Sequence, residues 1–404
     1  MNLQRAALYL AFGSAAASLV SIAICHSLLA LAFAALLLGC QPMRLPRFWP
    51  ALAALLLWTV LAVAFSDSPW DGRPALRKFY CLLTLLTLYS TLTLEWARRL
   101  MAALAFAGTL SAAKGLVQFL QKWEQARALG QPFYQSYVGD RITGFMSHWM
   151  TFGGEMMIVL MVIASWIFFS GSPRRRWLWW AASFLVFAAI LLGFTRSIWP
   201  ATAAGGLYLL WFWRRWMFAA APAVIALGLW LAPPPVSERI HSIWNPDKKL
   251  DSNLHREALR AAGYRMIADH PLLGIGPERT QQEFPRYLPD RYKPIPKEWW
   301  YGHLHNIYLD LAAERGLPAL FAFLAMIVWA LRDLLRGALA LAPEEHTRRM
   351  LLHTAIAGIL AILVGGLLER NLGDSEVLTL FWTLLACGYT ALKPAEPAHE
   401  STSA

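Results

Sequence analysis

Charge is scarce in this chain. Only 15% of its 404 residues are Asp, Glu, Lys or Arg, against roughly 25% in a soluble domain. With 57% hydrophobic residues and a mean hydropathy of +0.43, a set of soluble domains is excluded, as are disordered and collagen-like chains. Cysteine is nearly absent. Cys25, Cys40, Cys81 and Cys387 lie in apolar runs without zinc-type spacing, so neither a disulfide framework nor a zinc site is expected, and the four read as packing residues. The outer segments carry no aspartate-rich metal motif. Gly274-x-Gly276-Pro277 lacks the strand–helix context of a dinucleotide site, and no inverted repeat of the transporter kind is visible. The net charge of +11 would suit a nucleic-acid partner. Its distribution does not, because the basic residues punctuate hydrophobic runs, and no nucleic acid is expected.

What the chain has is apolar sequence in lengths that suit a bilayer, where a spanning helix needs about 20 residues. About twelve spans are expected, at 6–24, 28–40, 50–66, 76–94, 100–120, 151–170, 177–193, 197–213, 216–232, 317–332, 350–368 and 376–392. The fold class is therefore an all-α integral membrane protein. With the N-terminus inside, the clusters Arg44/Arg47, Arg98/Arg99, Arg174–Arg176, Arg214/Arg215 and Arg348/Arg349 all fall on the cytoplasmic side. One miscounted span would scatter them over both faces. Met1 to Val20 also carries the features of a secretory leader, but the parity of the arginine clusters favours an uncleaved first span.

Domain organisation follows. Residues 1–232 form the first nine spans with a periplasmic segment at 121–150, and 233–304 form a large periplasmic loop. An interfacial helix and three spans occupy 305–392, and 393–404 are a cytoplasmic tail. The stretch from Pro233 to Gly302 holds 11 basic and 9 acidic residues and is rich in Trp, Tyr and Pro. Its middle, Asn253 to His270, has the apolar spacing of a helix that Asp251 or Ser252 would cap.

Polar chemistry gathers at the outer boundary. His305 stands where the loop re-enters the membrane, and Asn306 can cap a short helix ending at Gly316. An imidazole there suits a general base and equally an interfacial residue that only bonds backbone or headgroups. His303-x-His305 lacks the companions of a metal site. Arg196 lies in a very short outer connector, where its fork suits a phosphate or simply snorkels. Arg141 precedes the sixth span, and Arg265 shares the loop helix with Arg256 and Arg260. Of the ionisable groups Lys114, Glu155, Asp310 and Glu314 at or inside spans, Glu155 is the one expected to line a site.

Taken together, these stretches resemble the O-antigen ligase family. The matching residues are Arg141-x-x-Gly144-Phe145, Thr195-Arg196-Ser197-x-Trp199, Arg265-x4-His270-Pro-Leu-Leu-Gly-Ile-Gly276, and His303-x-His305-Asn306-x-Tyr308 running on to Gly316. The likeness covers about 141–320 closely. His148-Trp149 stands where the family often has Asn-Pro, and Gly316-Leu-Pro-Ala319 lacks the usual second glycine.

The resemblance implies a GT-C-like glycosyltransferase in the bacterial inner membrane with its site facing the periplasm. Its donor would be O-antigen linked to undecaprenyl diphosphate and its acceptor lipid A–core oligosaccharide. It implies His305 as base and Arg141, Arg196 and Arg265 on the diphosphate, with His303, Asn306, Tyr308 and Glu155 in support. No cofactor or metal is implied, and the reaction would invert the donor sugar. Lipid-linked oligosaccharide polymerases and protein O-oligosaccharyltransferases share these motifs. A lipid-linked glycan transporter is a more distant alternative, to which polar residues clustered at one boundary are less suited.

Overall fold

The computed structural model describes residues 3–171, 175–244, 253–296 and 299–394. It is 77% helix, with no strand among the described residues. The first half contains α1 (Leu3–Ala17), α2 (Ile22–Leu38), α3 (Trp49–Ala64), α4 (Arg73–Arg77), α5 (Leu82–Thr91), α6 (Leu94–Ala128), α7 (Phe133–Gly139), α8 (Trp149–Phe169) and α9 (Arg176–Leu192). The second contains α10 (Ile198–Trp213), α11 (Arg215–Trp230), α12 (Pro234–Trp244), α13 (Asn253–Asp269), α14 (Thr280–Tyr287), α15 (Ile307–Ala340), α16 (His346–Gly365) and α17 (Ser375–Ala391).

By length and composition, four of these helices can cross a membrane: α6, α8, α15 and α16. A fifth arises if α11 and α12, bent by 110° at the Pro233–Pro235 corner, count as one span. The apolar helices α2, α3 and α9 have 16 or 17 residues, or about 25 Å at 1.5 Å per residue, short of a hydrocarbon core of about 30 Å. The first hairpin turns earlier than expected. Its connector lies at 18–21, because Ser21 caps α2 by accepting from the Ile24 N–H.

The helix α8 forms the centre, with 89% of its apolar window buried against neighbours that include α16, α9 and α10. At the other extreme α11 packs on α10 and buries only Ala221, so Trp216, Val224 and Trp230 face outward. That is an apolar face suited to lipid tails.

The region from α13 to the start of α15 has a core of its own. Ala258, Leu259, Ala262 and Met266 of α13 pack with Phe284, Tyr287, Tyr292, Leu304, Leu309 and Ala313. The helix expected over Asn253 to His270 is therefore present as α13. Its expected caps, Asp251 and Ser252, lie outside the described residues, as does Arg174.

That core seats the start of α15. Asn306 caps it, its side chain accepting from the Tyr308 and Leu309 N–H groups. The helix breaks at Gly316, where φ is +82° and ψ 168°, so a short segment meets the long span at a joint. The carbonyls orphaned there are taken by the segment after His270. The Ile275 and Gly276 amides donate to Ala313 and Glu314 oxygens at 2.9 and 3.1 Å, and the Leu317 amide donates to Pro271 at 2.8 Å. Trp58 of α3 donates to Leu272 O at 2.9 Å and ties this lock to the bundle. The Pro271–Gly276 run is thus a plug for a helix end.

A Cβ at position 316 would lie 1.9 Å from Leu272 O, in a φ region that disfavours side chains. Gly316→Ala should lower the melting temperature of the purified protein by several degrees, corresponding to roughly 1–3 kcal/mol or more. An unchanged melt would mean that the joint does not need glycine.

Candidate functional site

His305 has φ +49°, a left-handed conformation that costs a non-glycine residue free energy and is kept only where its surroundings enforce it. Those surroundings are visible. Asn306 Nδ2 donates to Leu367 O at 2.9 Å, the Ile307 amide to Gly366 O at 2.8 Å, and Tyr308 OH to Leu363 O at 2.8 Å. Together they clamp the 305–308 turn onto the end of α16 and the connector to α17. On that connector stands Glu369, whose Oε2 lies 2.9 Å from His305 Nδ1. Asn306 and Tyr308 therefore hold the turn.

The carboxylate of Glu369 is buried, and its second oxygen receives Arg256 of α13. Burial alone would raise this carboxyl, but the His305 hydrogen bond and the Arg256 charge outweigh it and hold it below the ordinary range. An ionised Glu369 on Nδ1 keeps the proton there and leaves Nε2 of His305 as an acceptor. Beneath the pair, Arg370 bonds Asp310 at 2.8 Å and Glu278 at 3.0 Å, with Glu314 at 3.7 Å. Lys78 joins Glu278 at 3.1 Å. Burial would weaken the Arg370 charge, yet the carboxylates around it raise its affinity for the proton, so it stays charged.

Aromatic rings enclose the imidazole. His303 lies 4.3 Å away between ring centres, its Nδ1 accepting from the His305 amide, with His255 at 6.1 Å and Trp300 at 6.2 Å. Burial, with the charges of His305 and Arg370, pushes His303 down to about 2. Burial, with His305 and Arg256, pushes His255 to about 4. Both are neutral at physiological pH.

A second cluster lies beside this one. Arg141 bonds Val138 O at 2.9 Å and Phe194 O at 3.4 Å, and its guanidinium sits 5.2 Å over Trp149. Arg239 of α12, buried, donates to the same Phe194 oxygen at 3.0 Å. Arg196 bonds Ser242 O at 2.9 Å and Asn253 Oδ1 at 3.0 Å. Burial and the charges of Arg239 and Arg196 pull Arg141 below its ordinary value, while Glu369 acts the other way. Cations crowded in this manner favour an anion among them. His148-Trp149 supplies Arg141 with a wall, and His148 caps α8 by accepting from the Met150 amide at 3.2 Å.

The remaining expected residues lie elsewhere. Arg265 follows Arg256 by about two and a half turns. It is exposed on the opposite face of α13, where it acts on Asp290. The structure does not bring it to the cluster. Glu155 is fully buried in α8, both oxygens without a hydrogen-bond partner among the described residues, and the charges acting on it are Glu376 and Asp374. The sequence reading missed Glu369 and Arg239. Glu369-Arg370 places an acidic and a basic residue side by side in a short connector between two apolar helices, a signal that could have found it. No group of three or more His, Cys, Asp or Glu side chains that could hold a metal ion occurs among the described residues.

Apolar helices long enough to cross a membrane mark a multi-pass membrane protein, and it carries this cluster of arginines and histidines. The family model described as O-antigen ligase matches residues 181–324, about a third of the chain, including Arg196, His303 and His305. Over this segment the chain is similar to the O-antigen ligase family, the family that its motifs resemble. No curated protein matches it.

The two depressed histidines set a pH dependence of stability. Unfolded, each takes up a proton near pH 6.5, whereas in the fold both stay neutral to about 4 or lower. The unfolded state therefore binds more protons as pH falls below about 6.5, and stability drops. Thermal melts at pH 7.5 and 5.0 should show a smaller loss for His303→Gln and His255→Gln than for wild type. Equal losses would mean that these imidazoles are not held neutral.

Proposed function

We propose that the protein is a metal-independent, inverting glycosyltransferase of the GT-C-like kind. It moves O-antigen polysaccharide from undecaprenyl diphosphate to a hydroxyl of lipid A–core oligosaccharide, at the periplasmic face of the bacterial inner membrane. The observation that carries this reading is the His305–Glu369 pair at 2.9 Å, enforced by a left-handed residue and flanked by arginines. The family match over residues 181–324 supports the substrate class.

In this reading Nε2 of His305 takes the proton from the acceptor hydroxyl as its oxygen attacks the anomeric carbon of the donor sugar. The new glycosidic C–O bond forms on the face opposite the departing diphosphate, and the bond from that carbon to the diphosphate oxygen breaks. Undecaprenyl diphosphate leaves as an anion that needs charge stabilisation more than a proton. Arg141 and Arg196 supply it, with Arg239 beside them and Arg256 next in reach. Glu369 holds the tautomer and stabilises the imidazolium once it forms. About twelve spans, with both termini inside, complete the reading.

Single-turnover transfer with purified protein tests it. His305→Ala should lose roughly 10²- to 10⁴-fold in rate with donor binding retained. Glu369→Gln should lose on the order of 10²-fold or more through the wrong tautomer. Arg196→Lys and Arg141→Lys keep the charge without the planar fork and should weaken donor binding as well. Thorough chelation should leave the wild-type rate unchanged. A near wild-type rate for His305→Ala sinks the base, and a rate lost on chelation and restored by magnesium or manganese redraws the site around a metal. Transfer to a lipid-linked repeat unit but not to lipid A–core would make the enzyme a polymerase.

Sidedness is tested separately. In a Cys40→Ser background, Ser136→Cys on α7 should react with an impermeant maleimide added outside intact spheroplasts. Glu344→Cys, between α15 and α16, should react only after permeabilisation. The reverse pattern would overturn the orientation.

A further inference from the structure

One ring removed from His305 through His255, a cleft of about 350 Å³ is lined by Leu254, Glu257, Arg291, Tyr292, Pro296 and Trp299. It shares no lining residue with the arginine cluster around Phe194, and its volume falls in the range of small-molecule sites. Three observations give it a direction.

Rings lead to it from the imidazole. Trp300 stands 6.2 Å from His305, and His255 stands 6.1 Å from His305 and 4.9 Å from Trp299. Trp300 is 54% exposed yet held. Its ring lies so close over Gly302 that a Cβ there would fall 2.4 Å from it, and its face meets the His303 edge at 4.7 Å. An exposed ring fixed in place is a ready platform, because its stacking partner need not order it.

His255 Nε2 is buried next to Trp299 and has no hydrogen-bond partner among the described residues. A buried polar group left unmade costs free energy that an incoming hydroxyl recovers. At the far end the chemistry becomes charged and hydrogen-bonding. Tyr292 OH donates to Glu257 at 2.6 Å and accepts from Arg291 at 2.8 Å, while Arg291 remains mostly exposed.

Aromatic faces for C–H edges, a vacant imidazole nitrogen and a carboxylate–guanidinium rim are the groups that recognise a sugar chain. We propose that this path, from Trp300 past His255 and Trp299 to Tyr292, binds the acceptor oligosaccharide and presents its terminal hydroxyl to His305. The assignment rests on the glycosyl-transfer reading above. In-line displacement favours acceptor over donor, because the acceptor must arrive from the side away from the diphosphate, and the cleft leads to the base through His255 and shares no lining residue with the arginine cluster.

The test uses full-length protein in nanodiscs. Oligosaccharide freed from lipid A–core by mild acid is the probe, so that partitioning into lipid cannot mimic binding. Saturation-transfer NMR and calorimetry should detect its binding to wild type. Trp299→Leu and Trp300→Leu should each raise Kd and the acceptor KM about tenfold, the loss of one aromatic contact. Donor KM should hold. Arg291→Ala, at the exposed rim, is a second probe that leaves the packed interior alone and should raise the acceptor KM severalfold.

Variants that bind the oligosaccharide like wild type, with unchanged acceptor KM, would overturn the subsite. So would a rise in donor KM alone, which would give the path to the donor glycan. Wild-type protein that binds the oligosaccharide but transfers nothing would uphold the subsite and overturn the transfer reading. Transfer by wild type with no effect of any variant would do the opposite.

Discussion

One guanidinium ties together the segments around His305. Arg370 is buried and reaches Glu278 behind the Pro271–Gly276 plug, Asp310 in the first turn of α15 and Glu314 just before the Gly316 break. Two segments remote in sequence, Glu278 and the Asp310/Glu314 turn, therefore converge on one cation, and moving the turn away would leave buried charge unpaired. Breaking such a pair from one side costs about 3–5 kcal/mol. Its neighbour Glu369 points the other way, to His305 and Arg256. Two adjacent side chains on one short connector thus divide the work, one fixing the scaffold and the other addressing the proposed base.

The backbone tells the same story. Among non-glycine residues with positive φ are Phe194, Glu278 and His305. Phe194 offers its carbonyl to Arg141 and Arg239, Glu278 bridges Lys78 and Arg370, and His305 faces Glu369. Each strained residue turns a polar group toward a partner that an unstrained backbone would not reach. Strain of about 1–3 kcal/mol per residue persists only where packing and hydrogen bonds overdetermine it.

Local signals were readable from residue order. The Asn306 cap, the stop at Gly316 and the helix over 253–269 each depend on neighbours within one or two turns, and each is present. The O-antigen ligase-like motifs were legible too, since each is a run of a few neighbouring residues. Pairings across 64 or 113 residues, such as His305–Glu369 and Arg256–Glu369, leave no periodic trace. Arg239 reads as one basic residue among many in the loop until folding buries it. Arg265 stands apart from the cluster for a subtler reason. Its motif spacing is right, but the helix phase turns it away from Arg256, and phase relative to a distant partner is a tertiary property.

The joint at Gly316 has a mechanical consequence. A continuous helix from Ile307 to Ala340 would be a lever of about 50 Å, and any tilt of its membrane portion would swing the outer end. Bilayers differ in thickness, and spans answer by tilting. Because the ladder is interrupted at Gly316, with the short outer segment pinned by the Ile275 and Gly276 amides and by Asp310 on Arg370, tilt is absorbed at the break. The turn bearing His305 is fastened instead to Gly366 and Leu367. The His305–Glu369 separation is thereby insulated from bilayer thickness.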